Sequence, residues 1–309
     1  MARILTLTLN PALDLTVRLR ALALGEVNRS EAVLVQAAGK GLNVAQVLAD
    51  LGHELSVGGF LGADNAEAFE ALFRRRGFRD AFVRVPGETR SNIKLAERGG
   101  RVTDLNGPGL DVDEGAQQRL LDGLERLAAG QDLVVLAGSL PRGVDPQWLR
   151  ELVLRLQRRG LRVALDSSGE ALRQGLAAAP WLAKPNAEEL AEACGPAGAG
   201  GVDAQVRALR ASGIKHLVLS EGAEGVRWYG PEGLWQATPP KVEVASTVGA
   251  GDSLLAAMVH GLLSGWPPAW VLRHATAVAA LAVTQFDFGI PDGERLARLE
   301  EQVAVRALD

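Results

Sequence analysis

Residues 247–263 read TVGAGDSLLAAMVHGLL: three small residues, Gly249, Ala250 and Gly251, stand directly before a carboxylate, Asp252, and a continuous apolar run follows. Glycines let the backbone approach a ligand closely, and successive N–H groups at a helix start form a pocket for an anion such as a phosphate in transfer. A carboxylate beside that pocket can accept the proton of an attacking hydroxyl. The same residues also describe an ordinary helix start, with Gly251 in a turn and Asp252 as the capping residue. On their own they leave both readings open.

The two familiar phosphate loops do not match. AAGKGLN has Gly41 where a P-loop requires Ser or Thr, and GAGDSL has Leu254 where the dinucleotide fingerprint requires a third glycine. A nicotinamide-dependent dehydrogenase therefore loses its main support. Other polar residues sit where a ligand could use them. Asp14 falls on the polar face of an alternating strand, Gly39, Lys40 and Asn43 fall at a helix start, and Arg90, Asn92 and Lys94 share one face of a hairpin strand. Alone, the hairpin face reads better as a solvated charged strand. NAEE places Asn186 and Glu189 at another helix start, where an exposed first-turn Glu is common.

The elements that must position these residues follow from periodicity. RILTLTL is a short strand closed by Asn10-Pro11, and ALDLTVRL alternates Leu13, Leu15 and Val17 against Asp14, Thr16 and Arg18, with VNRSEAVLVQA as its partner. GLNVAQVLADLG has helical spacing, and SNIKLAERGGRVTDLN is a hairpin around Gly99-Gly100. From residue 115 onward helix and strand alternate, with strands DLVVLAGS, LRVALDSS, WLAKPN and HLVLSEG. That pattern predicts a doubly wound, mainly parallel α/β sheet flanked by helices. Ligands of such sheets bind at the C-terminal strand ends, so Ser139, Asp166, Lys184, Asn186 and Ser220 should line one rim. GPAGAGG, 195–201, reads as a loop within the fold, because the α/β pattern resumes after it.

Composition narrows the partners. The 309 residues carry a net charge of −4 with 47% hydrophobic and 23% charged residues, which gives no electrostatic reason to expect nucleic acid or a membrane surface. One cysteine excludes an internal disulfide or a multi-Cys zinc site, and four scattered histidines form no ligand cluster. Neither a signal peptide nor an apolar run of membrane length is visible, so the expected location is the cytoplasm. Only five lysines occur among 33 basic residues, and three of them, Lys40, Lys94 and Lys184, fall inside the segments above. The six tryptophans read as structural.

STVGAGDSLLAAM resembles the C-terminal signature of the ribokinase-like, or phosphofructokinase B, sugar kinases. TLNPALDLT, GEVNR, AAGKGLNVA, GGFLG, TRSNIKL, GSLP, DSSGEAL, KPNAEEL and PPKVEVASTVGAGDS follow in the family's order over essentially the whole chain. The resemblance implies one kinase domain over 1–309, with a β-sheet lid formed by about 11–37 and 90–106. It implies an ATP- and Mg²⁺-dependent hexose-phosphate kinase, with fructose 1-phosphate phosphorylated on its 6-hydroxyl as the leading expectation. Tagatose 6-phosphate or fructose 6-phosphate kinase activity, and a non-catalytic sugar-phosphate sensor, are the alternatives. Asp252 is then the catalytic base and the Gly249, Ala250 and Gly251 amides the anion hole. Asn186 and Glu189 resemble a water-mediated Mg²⁺ site that Asp166 assists, Lys184 serves the phosphates, and Ser220, Gly222 and Gly225 contact the nucleotide. Glu221 stands where the family has an apolar residue. Potassium is an optional cofactor near TQFDFGIPD, 284–292. The apolar lid face of Leu13, Leu15, Val17, Ile93 and Leu95 needs cover, for which a second subunit's lid is expected, giving a homodimer.

Overall fold

The structure is a computed structural model and describes residues 1–195 and 201–308. Residues 196–200 of the glycine-rich stretch read above as a loop lie outside the described residues. The chain opens with β1 (Arg3–Thr8), β2 (Ala12–Leu19), β3 (Ala32–Ala38), α1 (Lys40–Asp50), β4 (Glu54–Gly62), α2 (Glu67–Arg76), β5 (Arg79–Val85), β6 (Ser91–Glu97) and β7 (Val102–Asn106). Helix and strand then alternate through α3 (Glu114–Ala128), β8 (Leu133–Ala137), α4 (Pro146–Arg158), β9 (Arg162–Asp166), α5 (Gly169–Ala177), β10 (Leu182–Ala183), α6 (Ala187–Cys194), α7 (Gly201–Ala211) and β11 (His216–Ser220). β12 (Val226–Gly230), β13 (Gly233–Thr238), α8 (Ala250–Leu263), α9 (Pro268–Ala282), α10 (Gly293–Gln302) and β14 (Ala304–Leu308) complete it.

Ten strands form the main sheet in the order β14-β13-β12-β11-β10-β9-β8-β1-β4-β5. From β11 to β5 neighbouring strands are parallel, while β12, β13 and β14 add an antiparallel edge. Strands buried on both faces read as near-continuous apolar runs, and β8, LVVLA, is buried throughout. Its side chains divide by the two-residue period. Leu133 and Val135 join the layer under α1, α2, α8, α9 and α10, and Val134 and Leu136 join the layer under α3 to α7. Helix starts are fixed by short acceptors: Asp113 accepts from the Ala116 amide at 2.6 Å, and Asp145 from the Gln147 amide at 2.7 Å ahead of Pro146. Each such cap stabilises by about 1 kcal/mol.

A second sheet has four strands in the order β3-β2-β6-β7, with β2 and β6 parallel at its centre. Its register sets Leu15 beside Val35 and Ile93, and Val17 beside Val33 and Leu95, on one face. On the other, Asp14 meets Gln36 and Asn92, and Lys94 meets Asp104. Among the described residues no helix is long and apolar enough to cross a membrane.

Candidate active site

Two helix N-termini meet beneath the small sheet. α1 starts after Gly39, whose φ of +137° and close approach to Thr8 exclude a side chain, and Lys40 is its first residue. α8 starts after Gly249, with φ +81°, and buries nearly its whole circumference against α1 and α9, as its apolar sequence requires. Between them Asn43 Nδ2 donates to Asp252 Oδ2 at 2.8 Å in a buried position. Desolvation raises the Asp252 pKa to about 6, the nearby Asp166 carboxylate adds to the rise, and Lys40, Asn43 and Lys184 oppose it. Asp252 is thus a carboxylate at neutral pH with a proton affinity suited to a base.

Asp166, at the C-terminal end of β9 and fully buried, lies 3.2 Å from both Lys40 Nζ and Lys184 Nζ. Burial alone would lower the Lys40 pKa, but the Asp166, Asp252 and Glu189 carboxylates outweigh it and raise it, so its ammonium persists. Lys184 follows β10, and a Cβ at Gly251 would stand 3.2 Å from its Nζ, so the ammonium lies against the start of α8. Backbone amides and two cations therefore face one space.

That space is a cleft of about 560 Å³ at the C-terminal strand ends. Of the residues singled out above, it is lined by Gly249, Ala250, Gly251, Asp252, Asp14, Gly39, Lys40, Asn43, Arg90, Asn92, Asp166, Lys184, Asn186, Glu189, Ser220, Gly222 and Gly225. Asp14 contributes from the small sheet, where Asn92 Nδ2 donates to its Oδ1 at 3.1 Å; burial raises its pKa against the pull of Asn92, Lys94 and Arg90. Arg90 spans the join of the two sheets, donating to the Asn10, Pro11 and Gly107 carbonyls at 3.2 to 3.4 Å.

Two expected residues are drawn elsewhere. Lys94 pairs across the hairpin with Asp104 at 3.1 Å, and Ser139 Oγ accepts from Asn10 Nδ2 at 3.1 Å; neither lines the cleft. The cleft also uses Ala12, Val226, Thr247, Val248, Leu254 and Ala279. These carry no charge; Ala12, Thr247, Val248 and Leu254 lie inside the motifs quoted above, while nothing in the sequence marked Val226 or Ala279.

Asn186 and Glu189 form a capping box on α6: the Glu189 amide donates to Asn186 Oδ1 at 2.8 Å and the Asn186 amide donates to Glu189 Oε2 at 2.9 Å. Glu189 Oε1 faces Lys40 Nζ at 3.9 Å. Among the described residues no group of three or more His, Cys, Asp or Glu could cage a metal. Mg²⁺ keeps most of its waters, however, and two carboxylates bordering the cleft suit an ion held through them. One of these, Asp166, has an Oδ2 that Lys184 Nζ meets at 3.2 Å without hydrogen-bond geometry, so among the described residues its hydrogen-bonding capacity is not used up. Glu221 is turned away from the cleft, its carboxylate accepting from Arg227 Nη2 at 2.6 Å.

The family profile described as pfkB family carbohydrate kinase matches residues 7–292. The chain is 46% identical to 1-phosphofructokinase of Vibrio cholerae over 308 residues, covering 99% of this chain and 97% of the relative. It is also 46% identical to 1-phosphofructokinase of Escherichia coli K12, covering 97% of each. Escherichia coli phosphofructokinase-2, at 28% identity and covering 98% of this chain and 99% of that one, superimposes with a TM-score of 0.87 in complex with fructose-6-phosphate. The score is 0.88 for its tetrameric inhibited form and 0.88 for its potassium complex.

Proposed function

The chain belongs to the pfkB family of carbohydrate kinases, and from that premise we propose that its site transfers the γ-phosphoryl group of ATP to the 6-hydroxyl of fructose 1-phosphate, giving fructose 1,6-bisphosphate. It has a ribokinase-like α/β fold and is a phosphotransferase. The observation that carries the mechanism is the buried Asp252, hydrogen-bonded to Asn43 at the start of α8 beside Lys184. The Asp252 carboxylate takes the 6-hydroxyl proton as that oxygen bonds to the γ-phosphorus, the bond to the β,γ-bridging oxygen breaks, and ADP leaves. Phosphoryl transfer requires mainly positioning and charge neutralisation. The Gly249 to Gly251 amides and Lys184 face the transferring group in this reading, and Ser220, Gly222 and Gly225 hold the nucleotide. Mg²⁺ held through water by Glu189, Asn186 and Asp166 would supply charge neutralisation at the phosphate oxygens.

The four-stranded sheet is read as a lid inserted into one kinase domain, with Asp14 and Asn92 toward the sugar hydroxyls and Arg90 toward its phosphate. Its apolar face, on which Val33 and Val35 are half exposed, is read as the contact of a homodimer. Potassium is carried as an optional cofactor at the carbonyls of 284–292; at Asp287 and Gly289 it would displace Gln285 Nε2, which donates to both at 2.9 Å. The cytoplasm, with its ATP, is the compartment this reading requires. A 6-phosphate substrate is the second reading, favoured by the fructose-6-phosphate complex of the Escherichia coli phosphofructokinase-2. ADP release with ATP and Mg²⁺, compared across fructose 1-phosphate, fructose 6-phosphate and tagatose 6-phosphate, separates the two. Preference for fructose 1-phosphate supports the proposal, and preference for a 6-phosphate keeps the chemistry and replaces the substrate.

A further inference from the structure

Residues 284–290 join three parts of the molecule that the proposed reaction requires to act together. At one end, the Phe288 ring lies against the backbone of Gly249: a Cβ there would stand 2.7 Å from Phe288 Cε1. Gly249 caps the helix whose first amides form the proposed anion hole. At the other end, Asp287 Oδ1 accepts from Gln36 Nε2 on β3 at 2.8 Å, and the Arg18 guanidinium on β2 sits 5.4 Å from the Phe286 ring centroid. Both of those contacts are to the small sheet. The segment is also tied to α1, whose Asp50 Oδ2 accepts from the Ile290 amide at 2.8 Å, and it is braced internally by Gln285.

We propose that this segment is a positioning strut that couples the lid to the anion hole, with Gln36–Asp287 as its lid contact and Phe288–Gly249 as its catalytic contact. The inference rests on the reading of the small sheet as a lid and of 249–251 as the anion hole. Its physical basis is asymmetry of support. The lid contacts, a 2.8 Å side-chain hydrogen bond and the Arg18–Phe286 contact, hold the segment to β3 and β2, whereas Phe288 meets a backbone position that has no side chain to yield. A shift of β3 when the lid seats on sugar therefore moves Asp287, and with it the adjacent Phe288, against the start of α8. Gln36, Asp287 and Phe288 touch neither substrate nor phosphate in this account; they set where the amides stand.

The test is Gln36→Glu, which faces Asp287 with a second carboxylate, and the swapped pair Gln36→Glu with Asp287→Asn, which restores donor and acceptor in reverse order. Asp287→Ala removes the contact from the other side should Gln36→Glu fail to fold. Hydrogen–deuterium exchange of peptides covering 247–253 is read without turnover, and kcat and KM are read with the preferred sugar phosphate. The expected result is faster exchange at 247–253 in the single variants and a kcat lowered about threefold to tenfold. The KM for ATP should stay within about twofold, and the swapped pair should recover both readouts. Exchange changed only in 30–38 and 284–290, with 247–253 as in the unaltered chain, overturns the strut. So does a kcat loss that the swap leaves in place. Failure of the unaltered chain to turn over any sugar phosphate would instead count against the proposed reaction, leaving the exchange result to decide the coupling.

Discussion

Asn43 and Asp252 are 209 residues apart in the chain, yet their side chains form a buried 2.8 Å hydrogen bond between the first turns of α1 and α8. The bond favours the ionised carboxylate, while burial and the Asp166 charge favour the protonated one, and burial prevails.

This balance sets a pH dependence. A base must be ionised, so kcat should fall as pH drops through about 6, the Asp252 value. Asn43→Ala removes a bond that holds the carboxylate form, so the acid limb should move up by about half to one unit. Asp166→Asn removes a like charge and should move it down. A limb that stays in place in both variants would detach the titration from Asp252.

Gly249 and Gly25 offer a paired backbone test. Both have φ near +80°, but nothing lies within 4 Å of a Cβ at Gly25, while Phe288 is in the way at Gly249. Gly25→Ala should cost only the left-handed strain, about 1–2 kcal/mol in thermal or denaturant unfolding, with kcat unchanged. Gly249→Ala should cost more and lower kcat by about 10- to 100-fold, because the clash displaces the amides. Equal effects in the two variants would show that the Phe288 contact carries no weight.

Protonation of buried histidines should draw stability down as pH falls from about 6.5 toward 4, against the gain from Asp252, whose raised pKa of about 6 makes its own protonation stabilising. Burial lowers the pKa of His216 to about 4, helped by Lys215 and Arg210, and that of His260 to about 4, helped by His53 and His274. The folded pKa lies below the unfolded value near 6.5, so the unfolded chain binds more protons between the two. The histidine contribution to stability is then complete above about 6.5 and is lost as pH falls toward about 4. His216→Phe should flatten the decline of Tm over that range; an unaltered slope would assign it to other groups.

The small sheet leaves Val33, Val35 and Leu105 half exposed on its apolar face. Val35→Asp should convert a sedimenting dimer to monomer at micromolar concentration, while a chain that is already monomeric on dilution contradicts the lid-to-lid contact.

Much of this was legible in order of appearance along the chain. The two-residue alternation of β2 and the glycine pair between β6 and β7 mark the small sheet, and the helix–strand alternation after residue 115 marks the parallel one. The regular ladder of β10 is cut to Leu182–Ala183 because Pro185 has no N–H to donate, although the segment stays bonded to its neighbours, the Lys184 amide donating to the Leu165 carbonyl and the Ser220 amide to the Pro185 carbonyl. Of the antiparallel edge, β12 and β13 form a local hairpin around Pro231-Glu232, whereas β14 escaped notice because it pairs with a strand some 70 residues earlier, and local patterning holds no register of that kind. At the site, residue types drew attention to the glycines and Asp252 without deciding their role. Pairings decided the rest: Asp104 claims Lys94, Asn10 claims Ser139 and Arg227 claims Glu221, and none of these partners could be assigned from spacing.

The most direct test of the central claim compares Asp252→Asn with the unaltered chain for turnover, sugar-phosphate binding and stability at pH 7. The amide oxygen introduced by this substitution can still accept from Asn43, so the site should keep its shape and bind sugar phosphate. The raised pKa of Asp252 means the buried charge costs stability above about 6. Its neutral replacement should therefore stabilise the fold by up to about 3 kcal/mol. The expected result is binding within about threefold, higher stability, and a turnover lowered by about 100-fold or more. Unchanged turnover would contradict the assignment of Asp252 as the base.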